Sequence, residues 1–275
     1  REFRDHLPSA QVYVCDNGST DETQSEAAAA GAIVLSERAA GKGNAMRRLF
    51  ADVDADIYVM VDGDGTYDAS AAPRMVEAVK KGCDMTVAAR TPTAHNSYRP
   101  GHIAGNALFS GLLRRMFGGE FTDVFSGYRA MSRRIVASFP MHATGFDVET
   151  ELSVHALELG APTCEIQTAY KGRPDGSDSK LRTFRDGWAI LKTLGLLFQE
   201  RRPDLLLGIP AVICFVCAVA AAAFLEDGVD LAATGAVAAV TLGGLATAMD
   251  SLKRGRLESK RAIYMRTPTV RTDIP

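Results

Sequence analysis

Two carboxylates stand one glycine apart at Asp62-Gly63-Asp64, directly after Ile57–Val61 (IYVMV), a run apolar enough to be a buried strand. Like charges this close repel unless a cation joins them. Hard oxygen ligands on a tight turn suit Mg²⁺ or Mn²⁺, which hold diphosphate oxygens and neutralise a diphosphate leaving group. A solvated acidic turn has the same spelling, so the pair takes its meaning from its company. Asp16-Asn17-Gly18-Ser19-Thr20-Asp21 closes an earlier strand-like run, and Gly41-Lys42-Gly43-Asn44-Ala45 precedes a helical one. Farther on come Ser126-Gly127-Tyr128-Arg129, then Gly145-Phe146-Asp147-Val148-Glu149-Thr150-Glu151-Leu152. Last is Arg173-Pro174-Asp175-Gly176-Ser177-Asp178-Ser179-Lys180-Leu181. Guanidinium groups offer planar, bidentate donors to phosphate, the chemistry needed where two phosphate-bearing molecules must approach each other.

The elements that must position these groups alternate. Gln11–Cys15 (QVYVC) reads as a strand, Thr20–Ala30 as a helix ended by Gly31, and Ala32–Leu35 as a strand. Gly41–Asp52 is helical, Ile57–Val61 a strand, Ala71–Lys80 helical and Met85–Ala88 a strand. Such alternation predicts an α/β domain on a mostly parallel sheet, with functional residues beyond the carboxyl ends of its strands. Asp16 and the Asp62–Asp64 pair fall there. The chain opens as Arg1-Glu2-Phe3-Arg4, which reads as the middle of a helix.

A different regime begins near residue 205. Leu205–Leu225 is 21 residues without a charge and Leu231–Met249 is 19, separated by the acidic turn Glu226-Asp227-Gly228-Val229-Asp230. A helix of about 20 apolar residues spans one hydrocarbon core, roughly 30 Å. Arg201 and Arg202 precede the pair, and Lys253, Arg254, Arg256, Lys260 and Arg261 follow it. The positive-inside rule therefore places both outer ends in the cytoplasm, as expected of a multi-pass inner-membrane protein with its α/β domain on the cytoplasmic side. Gly243, Gly244 and Ala248 are the small residues expected at the helix–helix contact. Leu181–Gln199 mixes Phe184, Trp188 and Leu191 with Arg182, Arg185 and Lys192, as a helix in the headgroup region would. The expected organisation is thus a domain at 1–180, an interfacial helix at 181–204, a transmembrane hairpin at 205–249 and a basic cytoplasmic tail at 250–275.

The order and spacing of the six motifs resemble glycosyltransferase family 2. The likeness is to its polyprenyl-phosphate branch, which includes dolichol-phosphate mannose synthases and bacterial polyprenyl-phosphate glucosyltransferases; it covers about residues 1–200. The resemblance implies a GT-A fold (Rossmann-like), a nucleotide-diphospho-sugar donor, a divalent metal and a polyprenyl phosphate lipid as acceptor. It implies donor contacts from Asp16, Gly41, Lys42, Gly43 and Asp62, and metal ligation by Asp62 and Asp64. Phosphate or acceptor contacts fall to Arg99, Arg129, Asp147, Glu149, Arg173, Ser179 and Lys180; Asp62, Asp64, Arg129 and Arg173 are the catalytic set. The implied reaction is an inverting hexosyl transfer. A phosphate acceptor, with a second pKa near 6, needs no strong general base. Two departures stand out. The family's first strand, with its Pro-, Tyr- and Glu-bearing turn, would precede Arg1. Thr66 stands where the mannose-synthase branch usually has Gln.

Two other readings share these residues: a membrane-bound family 2 enzyme acting on a sugar hydroxyl in polysaccharide synthesis, and a non-catalytic nucleotide-sugar binding fragment. A net charge of -2 provides no basic field for nucleic acid, and no G-x-G-x-x-G follows a strand. Five cysteines without framework spacing argue against a disulfide scaffold, and the histidines show no ligand spacing. Sugar identity, lipid length and homo-oligomerisation are left open.

Overall fold

The computed structural model describes residues 1–92, 109–115, 118, 121–141, 148–171, 204–224 and 228–270. The chain divides into two units, Arg1–Asp178 with Lys260–Pro275, and Ser179–Ser259.

In the first unit the expected alternation is present. α1 (Glu2–His6) leads to β1 (Tyr13–Asp16), α2 (Thr23–Ala29) and β2 (Ile33–Ser36). Then follow α3 (Lys42–Asp52), β3 (Ile57–Met60), α4 (Ala72–Lys80) and β4 (Met85–Pro92). β5 (Arg129–Ser132), α5 (Arg133–Ser138), α6 (Val148–Leu159) and β6 (Thr163–Tyr170) complete the set. β1 and β2 form a parallel pair, and the other strands form a sheet in the order β3-β5-β4-β6. β4 and β6 run parallel, while β5 runs antiparallel to both of its neighbours, β3 and β4. This antiparallel strand departs from a simple alternation of parallel strands and helices, and it carries the end of the Ser-Gly-Tyr-Arg motif into the sheet. Residues 109–115 are helical.

The core forms where α4 covers this sheet. Ala71, Ala72, Met75 and Val79 meet Ala88 of β4, Ala130 of β5, Tyr67 and Tyr128, with Phe3 and Leu7 packed against the cluster. The spacing of 72, 75 and 79 is one helical face. Met75 is completely buried, worth about 1.5–3 kcal/mol relative to exposure.

The last turns of the long C-terminal helix belong to this unit. α8 runs from Gly228 to Arg266, so the expected basic tail is helical over most of its length, and it has specific partners. The Tyr264 hydroxyl donates to Asp84, whose carboxylate also accepts from Ser132 Oγ (2.7 Å) and Arg134 Nε (2.6 Å). The Arg134 guanidinium stacks 4.5 Å from the Tyr264 ring centroid, and Lys260 Nζ lies 3.2 Å from Glu158. Asp84, only 4% exposed, is a buried charge and so requires such partners.

One pair of cysteines departs from expectation. Cys83 and Cys164 are joined, with Cα atoms 6.0 Å apart, because the β4–β6 register sets Met85 beside Thr163 and brings the two residues together. Cys15, Cys214 and Cys217 are free.

In the second unit, α7 (Ile209–Phe224) and α8 are long and apolar enough to cross a membrane, over Leu206–Phe224 and Val229–Arg266. They touch through Gly235, where a Cβ would lie 2.9 Å from Ala218 Cβ and 3.2 Å from the Cys214 carbonyl oxygen. Gly243 and Gly244, expected at this contact, face open space. Gly235 shares a face with the buried Ala239 and Ala246, and helical phase turns Gly244 to the opposite side. The interfacial helix expected at 181–204 lies outside the described residues, except for its last position.

Buried His155 gives the first unit an acid limit. It is 1% exposed, with Nε2 2.9 Å from Ser138 Oγ. Burial first, and the Lys260 charge second, push its pKa down to about 3. The unfolded chain therefore takes up a proton near pH 6.5 that the folded chain refuses. Stability is fully present above that pH and falls as pH drops toward 3, by up to about 1.4 kcal/mol per pH unit. Thermal melts of the wild type and His155→Gln between pH 7.5 and 4.5 should show this acid-side slope in the wild type and a shallower one in the variant.

Candidate active site

The site begins with strand register. β3 and β5 pair with Met60 opposite Arg129, so continuing the antiparallel ladder by two residues sets Asp62 opposite Gly127. The approach is close enough that a side chain at 127 has no room: a Cβ there would lie 2.8 Å from Asp62 Cγ and closer still to Oδ2. Gly127 is a site residue that motif reading passes over, since a glycine offers no chemistry of its own. Its signal is the absence of a side chain beside a carboxylate. The Gly127 N–H donates to the Tyr67 hydroxyl at 2.9 Å, which fixes this wall from the other side.

Asp64 is held by its own turn. Its Oδ1 accepts from the Thr66 hydroxyl at 2.6 Å and the Thr66 N–H at 3.2 Å. Thr66, fully buried, is in turn fastened to the end of β6 by the Lys171 N–H at 2.9 Å. The residue that departs from the mannose-synthase pattern thus orients the second acid.

Asp16 ends β1. Its carboxylate accepts from the Ser19 N–H at 3.2 Å and from Gln24 Nε2 at 2.7 Å. The Ser19 and Gln24 hydrogen bonds hold its pKa below the usual carboxylate value. Next to it, Asn17 donates to the carbonyls of Glu37 (3.0 Å) and Ala39 (2.7 Å) and accepts from the Gly41 N–H (2.7 Å). One amide therefore pins the loop that launches α3. Gly41 has φ 127°, a conformation reserved in practice for glycine.

From this pinned start, Lys42 reaches inward. Its Nζ lies 2.5 Å from Asp62 Oδ1 and also contacts Glu149 Oε1. Glu149 is in the first turn of α6 and 3% exposed. Burial raises its pKa, opposed chiefly by the Lys42 charge. For Lys42 burial works against the charge, yet Glu149 and Asp62 together leave its pKa above the ordinary lysine value. Asp62, Lys42 and Glu149 are thus brought together from β3, α3 and α6.

Arg129 is placed otherwise. The expectation of a phosphate contact does not suit its position, because the guanidinium is completely buried and its donors are turned to the protein. Nε donates to the Ser126 carbonyl (3.0 Å), Nη1 to Ser153 Oγ (2.9 Å) and Nη2 to the Val124 carbonyl (2.7 Å). Ser153 Oγ passes the contact on to the Glu149 carbonyl at 2.9 Å. Arg129 therefore braces α6 behind Glu149. Burial pushes its pKa down to about 10, opposed by Glu149 and Asp123; it stays cationic at neutral pH. Arg99, Asp147, Arg173, Ser179 and Lys180 lie outside the described residues.

A divalent cation fits this donor set in kind. Asp62 and Asp64 are hard oxygen donors at the open end of a strand. Among the described residues no group of three or more His, Cys, Asp or Glu side chains is positioned to hold a metal. One or two carboxylates, completed by water and substrate phosphates, is the usual arrangement for Mg²⁺.

Residues 4–139 match glycosyl transferase family 2. The chain belongs to that family. Among curated relatives, glycosyltransferase AglJ of Haloferax volcanii is 36% identical over 197 residues, 70% of this chain and 61% of AglJ. The dolichyl-phosphate hexose transferase of the same organism is 27% identical over 190 residues, 69% of this chain and 82% of that protein. Glucosyl-3-phosphoglycerate synthase from Mycobacterium tuberculosis, solved with Mg²⁺ and uridine diphosphate, superposes with a TM-score of 0.50 at 25% identity. It covers 64% of this chain and 66% of the synthase. The chain therefore spans less than two thirds of the length of both AglJ and the solved synthase, and the shared fold is GT-A.

Within a family 2 site, the wall at Gly127 should matter more to turnover than to folding. Gly127→Ala must displace Asp62, and a misplacement near 1 Å can cost about 100-fold in rate. Sugar-transfer assays should show a loss of that order, while thermal melts place the variant within about 2 kcal/mol of wild type.

Proposed function

We propose that this chain transfers a hexosyl group from a nucleotide-diphospho-sugar to a polyprenyl phosphate at the cytoplasmic face of the inner membrane, with inversion at the anomeric carbon. The reading is carried by one combination. A family 2 site with paired strand-end carboxylates belongs to a chain that also has two helices long and apolar enough to cross a bilayer. The named relative acting on dolichyl phosphate supports the acceptor class, and the synthase solved with Mg²⁺ and uridine diphosphate supports the donor and the metal.

In this reading Asp62 and Asp64 hold Mg²⁺ or Mn²⁺, which when bound supplies positive charge to the departing diphosphate. Asp16 and the Gly41-Lys42-Gly43 turn border the nucleotide. An oxygen of the acceptor phosphate forms the new bond to the anomeric carbon as the bond to the donor diphosphate breaks, and the nucleoside diphosphate leaves. That oxygen is already anionic at neutral pH, so the protein's work is alignment and charge placement. Arg173, Ser179 and Lys180 are proposed to receive the acceptor phosphate, with Arg99 and Asp147 as further contacts. Arg129 acts from behind as a positioning residue. Glu149, occupied by Lys42, orients groups in the cleft and takes no proton.

Membranes containing the full-length protein, incubated with a panel of radiolabelled nucleotide sugars and undecaprenyl phosphate, should yield labelled lipid from one donor. Asp64→Ala should lower that transfer by about 100-fold or more, whereas Glu149→Gln should weaken it without abolishing it. Labelled polysaccharide without labelled lipid, or complete loss in Glu149→Gln, would favour transfer to a sugar hydroxyl. No transfer to either acceptor would favour a binding fragment.

A further inference from the structure

Asp62 faces two claims on the same carboxylate. It is expected to meet a divalent cation, and it already meets a monovalent one: Lys42 Nζ stands 2.5 Å from Oδ1. The ammonium is shared with Glu149, whose side chain is 5% exposed, and Lys42 itself is 19% exposed. Without Lys42 the cleft would hold two adjacent unneutralised carboxylates, one of them buried, and such an arrangement is disfavoured. With Lys42 in place, a divalent ion arriving at Asp62 meets a like charge a few ångströms away and one carboxylate oxygen already committed.

We propose that Lys42 is an internal counter-ion that occupies Asp62 in the metal-free state and competes with the divalent cation for it. Entry of the cation releases Lys42 from Asp62, leaving it on Glu149 and available to the negative charge of the donor diphosphate. The metal alone then binds weakly, and the arrival of a diphosphate favours both changes at once. The site thus resists loading a metal in the absence of a substrate that can use it. The inference rests on the metal assignment made above but makes a separate claim, because metal ligation by Asp62 does not require that Lys42 oppose it.

The test is Mn²⁺ binding to the detergent-solubilised full-length protein, followed by electron paramagnetic resonance without nucleotide or sugar. Lys42→Met, which keeps the length of the side chain and removes its charge, should bind Mn²⁺ about tenfold more tightly than wild type, within the range for coupled neighbours. Adding Asp62→Asn to that variant should abolish the gain. Lys42→Gln repeats the measurement if Lys42→Met folds poorly. A second experiment needs no variant: Mn²⁺ should raise the rate at which acetic anhydride modifies Lys42 in the wild type, relative to Lys80 and Lys81. Unchanged or weaker Mn²⁺ binding in folded Lys42 variants overturns the proposal, as does an unchanged Lys42 modification rate with Mn²⁺ bound. If that happens while the wild type binds Mn²⁺ through Asp62 and labels lipid, the proposed function stands and only the competition falls. If the wild type binds no Mn²⁺ even with pyrophosphate present, the metal assignment falls as well.

Discussion

The pairing of β3 with β5 is the constraint on which the site depends. β5 is four residues long and antiparallel to both of its neighbours, so its register decides what lies beside the end of β3. With Met60 opposite Arg129, Asp62 meets the residue that has no side chain. A slip of one residue would send every side chain of β5 to the opposite face. Arg129 would then leave its protein acceptors, and Tyr128, fully buried, would lose its place in the core. The core and the cleft thus enforce the same register from two sides.

Charge balance is the second organising demand. Lys42, Asp62 and Glu149 come from three elements and neutralise one another across the cleft. Behind them Arg129 is paired with backbone carbonyls and Ser153, and Arg90 forms a bidentate pair with Asp123 at 2.7 and 2.8 Å. Most of these groups are at least four-fifths buried, where an unmatched charge is costly. Several of the residues that look chemical in the sequence are therefore committed to holding the site in shape, and the reacting surface is narrower than the motif inventory suggests.

What the sequence discloses follows from whether the governing interactions are local. β1, α3, β3 and α4 were legible because apolar period, turn residues and glycine punctuation act within a few residues of one another. The acids at 16, 62 and 64 were legible for the same reason, since a strand followed by an acidic turn places its carboxylates at a strand end. β5 was not legible: Arg129-Ala130-Met131-Ser132 has no strand alternation, and its pairing is settled by residues about seventy positions away. The role of Arg129 followed that omission, because a guanidinium reads as a phosphate ligand until its burial is known. Cys83 and Cys164 are 81 positions apart, and only the β4–β6 register brings them together. The contact at Gly235 was hidden by a subtler cause. Gly243 and Gly244 are equally small, and composition alone does not tell which glycine meets the neighbouring helix.

The length of α8 has a geometric consequence for any bilayer that holds it. At about 1.5 Å per residue, its 39 residues extend for about 58 Å, nearly twice a hydrocarbon thickness of about 30 Å. Tilt cannot absorb the excess. Burying the whole rod would require an inclination near 60°, beyond the roughly 0–40° that transmembrane helices adopt, and would draw Lys253, Arg254 and Arg256 into oil. A bilayer that held the apolar half of this helix would therefore leave the basic half outside the hydrocarbon.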